Sequence, residues 1–350
     1  MRSLNIINVM LGKEPGGIEQ AFIDYLVAFE RLNHTSIGIL SKGVKGREEL
    51  SPYIQLQHIS NFGEWDIFAS MRLKQLINKI CPDVIITHGR RAAKLIKLAV
   101  KNIPVVGVTH NYSLDYLLKL DYVFATTQDL KNHLINLGYD ETKIFYVPNM
   151  INLNSIKVKA NPSQIKFRSP PVIGTMGRFV KKKGFDLFIK ALSILKDEGI
   201  DFRAIIGGDG EELSNLKNTA KSLHLQDLIE FPGWIINKEI FFSDMDIFCL
   251  PSLHEPFGIA LLEALSYKKP IVSFNSEGPF EIGTDKKDLL FAELGNERDL
   301  AEKIKLLLTK KELASKLIKA GSDLIRKKYS LDAVQTFLDK YVKKIAGISA

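Results

Sequence analysis

Short apolar runs alternate with helix-period segments along almost the whole chain, and that alternation leaves few folds open. A run of about 4–8 apolar residues between turn signals reads as a buried strand, and a helix between successive strands forces them parallel. The pattern predicts strands at Leu4–Met10, Thr35–Leu40, Ile54–Ile59, Val84–Thr87, Val105–Thr109, Tyr122–Ala125 and Ile144–Val147. Helices are predicted near Ile18–Arg31, Trp65–Ile80, Arg90–Lys101 and Leu130–Leu137. A polar stretch without a period, Asn152 to Pro171, interrupts the series. The alternation then restarts, with strands at Val172–Met176, Phe202–Ile206, Ile229–Phe231, Ile247–Leu250, Ile271–Phe274 and around Leu289–Phe291. Its first helix is Gly184–Glu198, and from Asn296 onward only helical pattern remains. At 350 residues the chain is long for one core and comfortable for two. The expected fold is α/β, two Rossmann-like doubly wound domains at 1–155 and 172–330 joined by a linker at 156–171.

Composition narrows the class of partner. With 45% apolar and 25% charged residues the chain reads as a soluble globular protein. No apolar run approaches the ~18 residues of a spanning helix, and the first eleven residues read as a strand, not a leader. Cys81 and Cys249 both sit in apolar surroundings, which suggests buried reduced thiols and a cytoplasmic setting. The net charge of +8 favours acidic partners without choosing among them.

One stretch carries most of the chemistry: Pro251-Ser252-Leu253-His254-Glu255-Pro256-Phe257-Gly258-Ile259-Ala260-Leu261-Leu262-Glu263-Ala264-Leu265. Pro256 suits a first helical position, and the apolar run after it reads as a helix buried on most sides. Glu263 is the only charge in that run, and a carboxylate there needs a partner. The N–H groups of Phe257, Gly258 and Ile259 at the helix start form a place for an anion. Glu255 and Glu263 flank it, roughly 12 Å apart at helical rise. Hydroxyls at both ends and phosphate between describe a nucleotide-sugar.

Set in Pro-Ser-x-x-Glu-Pro-Phe-Gly-x-x-x-x-Glu-Ala, the pair Glu255-x7-Glu263 resembles the signature of family 4 retaining glycosyltransferases. The resemblance extends over the whole chain and implies the two-domain GT-B architecture. It implies that the last helix, about 331–350, crosses back to the first domain. It implies an acceptor domain at the N-terminal side and a donor domain at the C-terminal side. Arg178 and Lys183, in Gly177-Arg178-Phe179-Val180-Lys181-Lys182-Lys183-Gly184, match the family's basic pair for the donor diphosphate. Two such cations offset the charge that grows on the leaving group. Gly16-Gly17-Ile18-Glu19 matches the family's Gly-Gly-x-Glu loop, which faces the diphosphate or the acceptor.

Further positions follow from the same resemblance. Gly208 lies in a glycine-rich turn near the donor, although Gly208-x-Gly210-x-x-Leu213 lacks the third glycine of a dinucleotide fingerprint. Phe231-Pro232-Gly233-Trp234 resembles the segment beside the base, with Ile235 as a backbone contact. Ser276-Glu277-Gly278-Pro279 with Glu281 resembles the Glu-Gly-x-x-Glu turn by the sugar and phosphate. His110 matches the histidine at the reaction centre, with His88 as the rival strand-end histidine. Asp244-Met245-Asp246 is an Asp-x-Asp without a third ligand nearby, so no metal is expected.

Arg90, Lys94, Lys97 and Lys101 recur at helical spacing and read either as a solvated face or as a patch for an anionic membrane. As a whole, the resemblance implies a retaining hexosyltransferase moving sugar from a nucleotide diphosphate, UDP by family habit, to a glycan or glycolipid acceptor such as lipopolysaccharide. Catalytic roles fall to His110, Glu255, Arg178 and Lys183. Donor contacts fall to Gly16, Gly17, Arg178, Lys183, Gly208, Ile235, Glu255, Phe257, Gly258, Ile259 and Glu263. No cofactor is expected, the nucleotide-sugar being a substrate, and no nucleic acid. An epimerase or phosphorylase on the same fold, and a non-enzymatic sugar binder, are the alternatives.

Overall fold

The computed structural model describes residues 2–12, 16–43, 54–156 and 166–348, so Lys13-Glu14-Pro15 and the middle of the expected linker lie outside the described residues. The chain divides into two compact units, Met1–Met150 with Leu331–Ala350, and Ile151–Ser330. The boundary falls after Met150 and not after residue 155. Ile151 donates its N–H to the Tyr329 carbonyl at 2.9 Å and bridges Ser330, which ties it to the second unit.

The first unit runs β1 (Asn5–Met10), α1 (Gly17–Arg31), β2 (Thr35–Ser41), β3 (Gln55–Ile59), α2 (Ile67–Ile80), β4 (Val84–His88), α3 (Arg90–Ala99), β5 (Val105–Val108), β6 (Tyr122–Ala125), α4 (Gln128–Asn136) and β7 (Ile144–Tyr146). The strands form one sheet in the order β3-β2-β1-β4-β5-β6-β7, every ladder parallel. Alternation along β1 explains the layers. Ile7 and Val9 pack with α2, α3 and α4, while Ile6 packs with Tyr25 and Phe29 of α1 on the other face. The strand order reverses between β1 and β4, where open α/β sheets bind ligands beyond their carboxyl ends.

The second unit runs β8 (Val172–Met176), α5 (Phe185–Asp197), β9 (Arg203–Gly207), α6 (Leu213–Ser222), β10 (Ile229–Glu230), α7 (Lys238–Ser243), β11 (Ile247–Leu250), α8 (Ile259–Ser266), β12 (Ile271–Phe274), α9 (Glu277–Ile282), β13 (Leu290–Ala292), α10 (Glu297–Thr309) and α11 (Lys311–Leu324). Its sheet has the order β10-β9-β8-β11-β12-β13, again parallel, with the reversal between β8 and β11. The final helix, α12 (Leu331–Ile345), belongs to the first unit. Its buried stripe of Leu331, Val334, Leu338, Val342 and Ile345 packs with Leu4, Tyr25 and Phe29. Full burial of each such side chain contributes about 1.5–3 kcal/mol, enough to hold the chain end there.

Three expectations are corrected. α8 begins at Ile259, because Gly258 takes a left-handed φ of 103° and turns the chain; Pro256 and Phe257 lie before the helix. The 12 Å helical spacing of Glu255 from Glu263 therefore does not apply. α3 ends at Ala99 with Val100 extended, so Lys101 leaves the face that Arg90, Lys94 and Lys97 occupy. Cys81 is exposed at the left-handed C-cap of α2, while Cys249 is buried. Among the described residues no helix is long and apolar enough to cross a membrane.

Candidate active site

At the β8/β11 reversal the loops after four strands are stitched together by backbone. Gly177 N–H donates to Gly207 O at 2.9 Å, Phe179 N–H to Asp209 O at 2.8 Å, and Gly208 N–H to Gly233 O at 2.8 Å. A Cβ on Gly208 would lie 1.9 Å from the Gly177 carbonyl oxygen, so only glycine admits this approach. Ile235 packs its side chain over Gly207, where an added Cβ would meet Cγ1 at 2.5 Å. Across the reversal, the Lys182 carbonyl accepts from Leu253 N–H at 2.9 Å and His254 N–H at 3.2 Å. That clamp joins the loop after β8 to the loop after β11.

The clamp brings together residues 72 positions apart: Lys183 Nζ donates to Glu255 Oε2 at 2.5 Å. Ser252 Oγ donates to the same oxygen at 3.1 Å, and Glu255 is buried. Lys182 and Arg178 are exposed in the same loop. Glu277, which opens α9, receives the Glu255 N–H at 3.1 Å and pairs with His254 Nδ1 at 2.6 Å. Burial is the largest influence on its carboxyl and works to raise it, but hydrogen bonds from its own N–H, the Glu255 N–H and His254 together hold it below the usual carboxylate range. Gly278 N–H donates to the Glu255 carbonyl at 2.8 Å, which fixes the loop between Glu255 and α8.

α8 is apolar on all sides, and Glu263 is its one charge, buried in the helix. Its partner is Lys238, which opens α7 and donates to Glu263 Oε1. Sequence reasoning missed Lys238, Ser252 and His254. The only signal for Lys238 was the demand of a buried carboxylate for a cation, which no spacing locates. At the start of α8 the Gly258 carbonyl accepts the Leu261 N–H at 2.9 Å and the Leu262 N–H at 3.3 Å, so helix geometry leaves the Ile259 and Ala260 N–H groups for an outside acceptor. Arg178, Lys183, Glu255 and the start of α8 thus gather at one switch point, and the Lys238–Glu263 pair lies further along α8. Asp246 is structural: its oxygens accept the Val172 N–H at 2.8 Å and the Arg168 N–H at 3.3 Å.

In the first unit, Gly16 caps α1 and accepts the Gln20 N–H at 3.1 Å, with Gly17 as the first helical residue. The two histidines are not rivals but neighbours. His88 Nδ1 lies 3.1 Å from His110 Nε2, and His88 Nε2 lies 2.9 Å from Asn8 Oδ1. Asn8 Nδ2 donates to the Phe22 carbonyl at 2.9 Å. A carbonyl only accepts, so the Asn8 amide presents its oxygen to His88, and His88 carries its proton on Nε2. His88 Nδ1 then accepts from His110 Nε2–H, which leaves Nδ1 of a neutral His110 with a lone pair for a ligand hydroxyl. Burial, with His110 close by, holds His88 well below the usual histidine range, and burial lowers His110 to about 4. Tyr25 stands edge-on to His88 at 5.1 Å between ring centroids.

Both imidazoles are depressed on folding. Between about 6.5 and about 4 the unfolded chain therefore binds more protons, and stability falls as pH drops through that window. Turnover is expected to stay flat above about pH 6 and to fall as His110 protonates near 4. Asn8→Asp sets a carboxylate against His88 Nε2 and should move that acid limb toward neutral pH. A pH–rate profile with an unmoved limb would detach the hydrogen-bonded chain of Asn8, His88 and His110 from the reaction.

The charged face of α3 is largely paired. Arg90 binds Asp115 at 2.9 Å, Lys94 pairs with Glu64, and Lys97 binds Asp121 at 3.0 Å. With Lys101 off the helix, these four residues do not form the free cationic patch that spacing suggested.

Two parallel doubly wound units in series, the second with a cation-and-carboxylate site at its switch point, are the architecture of a GT-B protein. The description "Glycosyl transferases group 1" matches residues 158–323 and "Glycosyltransferase Family 4" matches residues 15–155, and the chain belongs to this glycosyltransferase family. It is 26% identical over 349 residues to the lipopolysaccharide core biosynthesis glycosyltransferase LpsE of Rhizobium meliloti (strain 1021), covering 98% of this chain and 99% of that one. It is 24% identical to LpsD of the same organism over 355 residues, with coverage of 98% and 99%. Its fold matches Anabaena Alr3699/HepE in complex with UDP and glucose with a TM-score of 0.85 at 18% identity, over 97% of this chain and 99% of that one.

Proposed function

We propose that the protein is a retaining hexosyltransferase that moves a hexose from a UDP-sugar to a hydroxyl of a lipid-borne surface glycan of the lipopolysaccharide-core type. The observation that carries this is the Lys183–Glu255 pair set across the β8/β11 reversal, with Glu263 on the adjoining helix. Lys183 serves the donor by changing partners. As the diphosphate takes its ammonium, the Glu255 oxygens become available to the donor sugar hydroxyls. Arg178 joins Lys183 on the phosphates, the start of α8 adds N–H donors, and Glu263 holds the ribose. In the first unit, His110 offers Nδ1 as an acceptor to a substrate hydroxyl.

In the reaction the bond from anomeric carbon to phosphate oxygen breaks and a bond to the acceptor oxygen forms on the same face. The acceptor proton passes to a donor phosphate oxygen, and UDP leaves with its charge met by Arg178 and Lys183. These two cations do the work a metal would otherwise do, so the proposed chemistry needs none. The lipid-linked acceptor sets the reaction at the inner surface of the membrane. The UDP complex of the structural relative and the names of the core-biosynthesis relatives support the donor and acceptor classes.

The experiment is a panel of UDP- and GDP-sugars with and without a core-type glycolipid. Nucleoside diphosphate release that depends on acceptor, with the anomeric configuration retained, is the expected result. Release of a sugar 1-phosphate or conversion of the sugar without acceptor would place the protein among phosphorylases or epimerases.

A further inference from the structure

The largest exposed apolar residues of the first unit are not scattered. Phe62 is 92% exposed, Trp65 72%, Ile67 68%, Phe68 73% and Met71 55%, all within the loop after β3 and the first turns of α2. At about 200 Å² per aromatic side chain, the three rings alone present roughly 450 Å². That matches the largest apolar patch of a typical monomer, which is often a functional surface.

Hydrogen bonds and an ion pair anchor the segment that carries the patch. Asp66 caps α2 by accepting the Ala69 N–H at 2.9 Å, and it accepts the Phe62 N–H at 3.0 Å. Asn61, buried, donates to Ser41 Oγ at 2.8 Å, and Arg72 donates to the Ser60 carbonyl at 3.2 Å. Lys94 pairs with Glu64 and lies 4.8 Å over the Trp65 ring. The inner face of α2, with Ala69, Ser70, Leu73 and Ile77, is already buried. Phe68 and Met71 therefore point outward by construction.

Charge selects the occupant. α2 carries Arg72, Lys74 and Lys79, all exposed, and no Asp or Glu. The nearby acids Asp66 and Glu64 are taken by the helix cap and by Lys94. An apolar tip with Trp and Phe, collared by cations along the same helix, fits the boundary between headgroups and acyl chains of an anionic bilayer.

We propose that Phe62, Trp65, Ile67, Phe68 and Met71 form a docking surface for an anionic lipid bilayer, with Arg72, Lys74 and Lys79 meeting its headgroups. This contact surface replaces the paired α3 face, and it rests on the proposed lipid-borne acceptor for its setting.

The test uses the full chain and vesicles of phosphatidylcholine alone or mixed with phosphatidylglycerol. The protein should sediment with the anionic vesicles, and salt should weaken that binding. A Phe62→Ser, Trp65→Ser, Phe68→Ser variant should lose at least about tenfold in partitioning, and Arg72→Gln, Lys74→Gln, Lys79→Gln a similar factor. Trp65 emission should shift to the blue on binding. The shift should persist in Trp234→Phe and vanish in Trp65→Phe. An unshifted Trp65, or anionic binding equal in wild type and both triple variants, overturns the proposal. So does a dimer in sedimentation velocity that the serine variant abolishes, since the surface would then serve a second copy. UDP protection against heating reads the second unit separately, so its loss would count against the donor assignment and not against this surface.

Discussion

Lys183→Ala is expected to lower kcat by roughly 10²–10³-fold, the range seen when a group that meets developing charge is removed. The leaving diphosphate gains charge as the glycosidic bond breaks, so the lost interaction is stronger in the transition state than in the ground state. The structure adds a second consequence. Glu255 Oε2 would keep only Ser252 Oγ among the two partners described for it, and a buried carboxylate without its cation is costly. Donor binding should therefore weaken as well, because phosphate and an unpaired Glu255 would repel. Lys183→Ala with Glu255→Gln separates the two effects. The double variant should regain stability and part of the donor affinity, while kcat stays low. Single-turnover rates near wild type in Lys183→Ala would detach this lysine from the leaving group.

Glu263→Gln should fail differently, raising donor KM by ten- to a hundredfold with a smaller effect on kcat. The ribose does not change during the reaction, so its contact is uniform binding, and one hydrogen bond to a charged group is worth roughly 1.5–3 kcal/mol. Lys238 would lose its carboxylate, but its side chain is 23% exposed and water can solvate it. Lys238→Met is the harsher change for the fold, because it leaves Glu263, 7% exposed, as a buried unpaired charge. Thermal denaturation should therefore rank Lys238→Met below Glu263→Gln, while donor KM ranks them the other way. Equal KM for wild type and Glu263→Gln would move the ribose elsewhere.

Much of this protein was legible in the sequence, and for a physical reason. Strand and helix periods are local, so β8, β11 and β12 fall where the pattern put them, and parallel order follows from the helices between. The motif spacing of Glu255, Gly258 and Glu263 is local as well. Sequence also posed the right question about Glu263, since one charge in an apolar helix must be answered.

Only the tertiary structure supplied the answers. Lys238 reaches Glu263, and Lys183 reaches Glu255, because loops after different strands converge at a switch point. Asn8 and His88 share a hydrogen bond because β1 and β4 are neighbours in the sheet. The same holds for the error on α3: helical spacing lined up Arg90, Lys94 and Lys97, but their carboxylates come from positions 24–30 residues away. Periodicity records which face a residue occupies. Its charge state and its partner depend on what the folded chain brings opposite, and that is a property of approach in space.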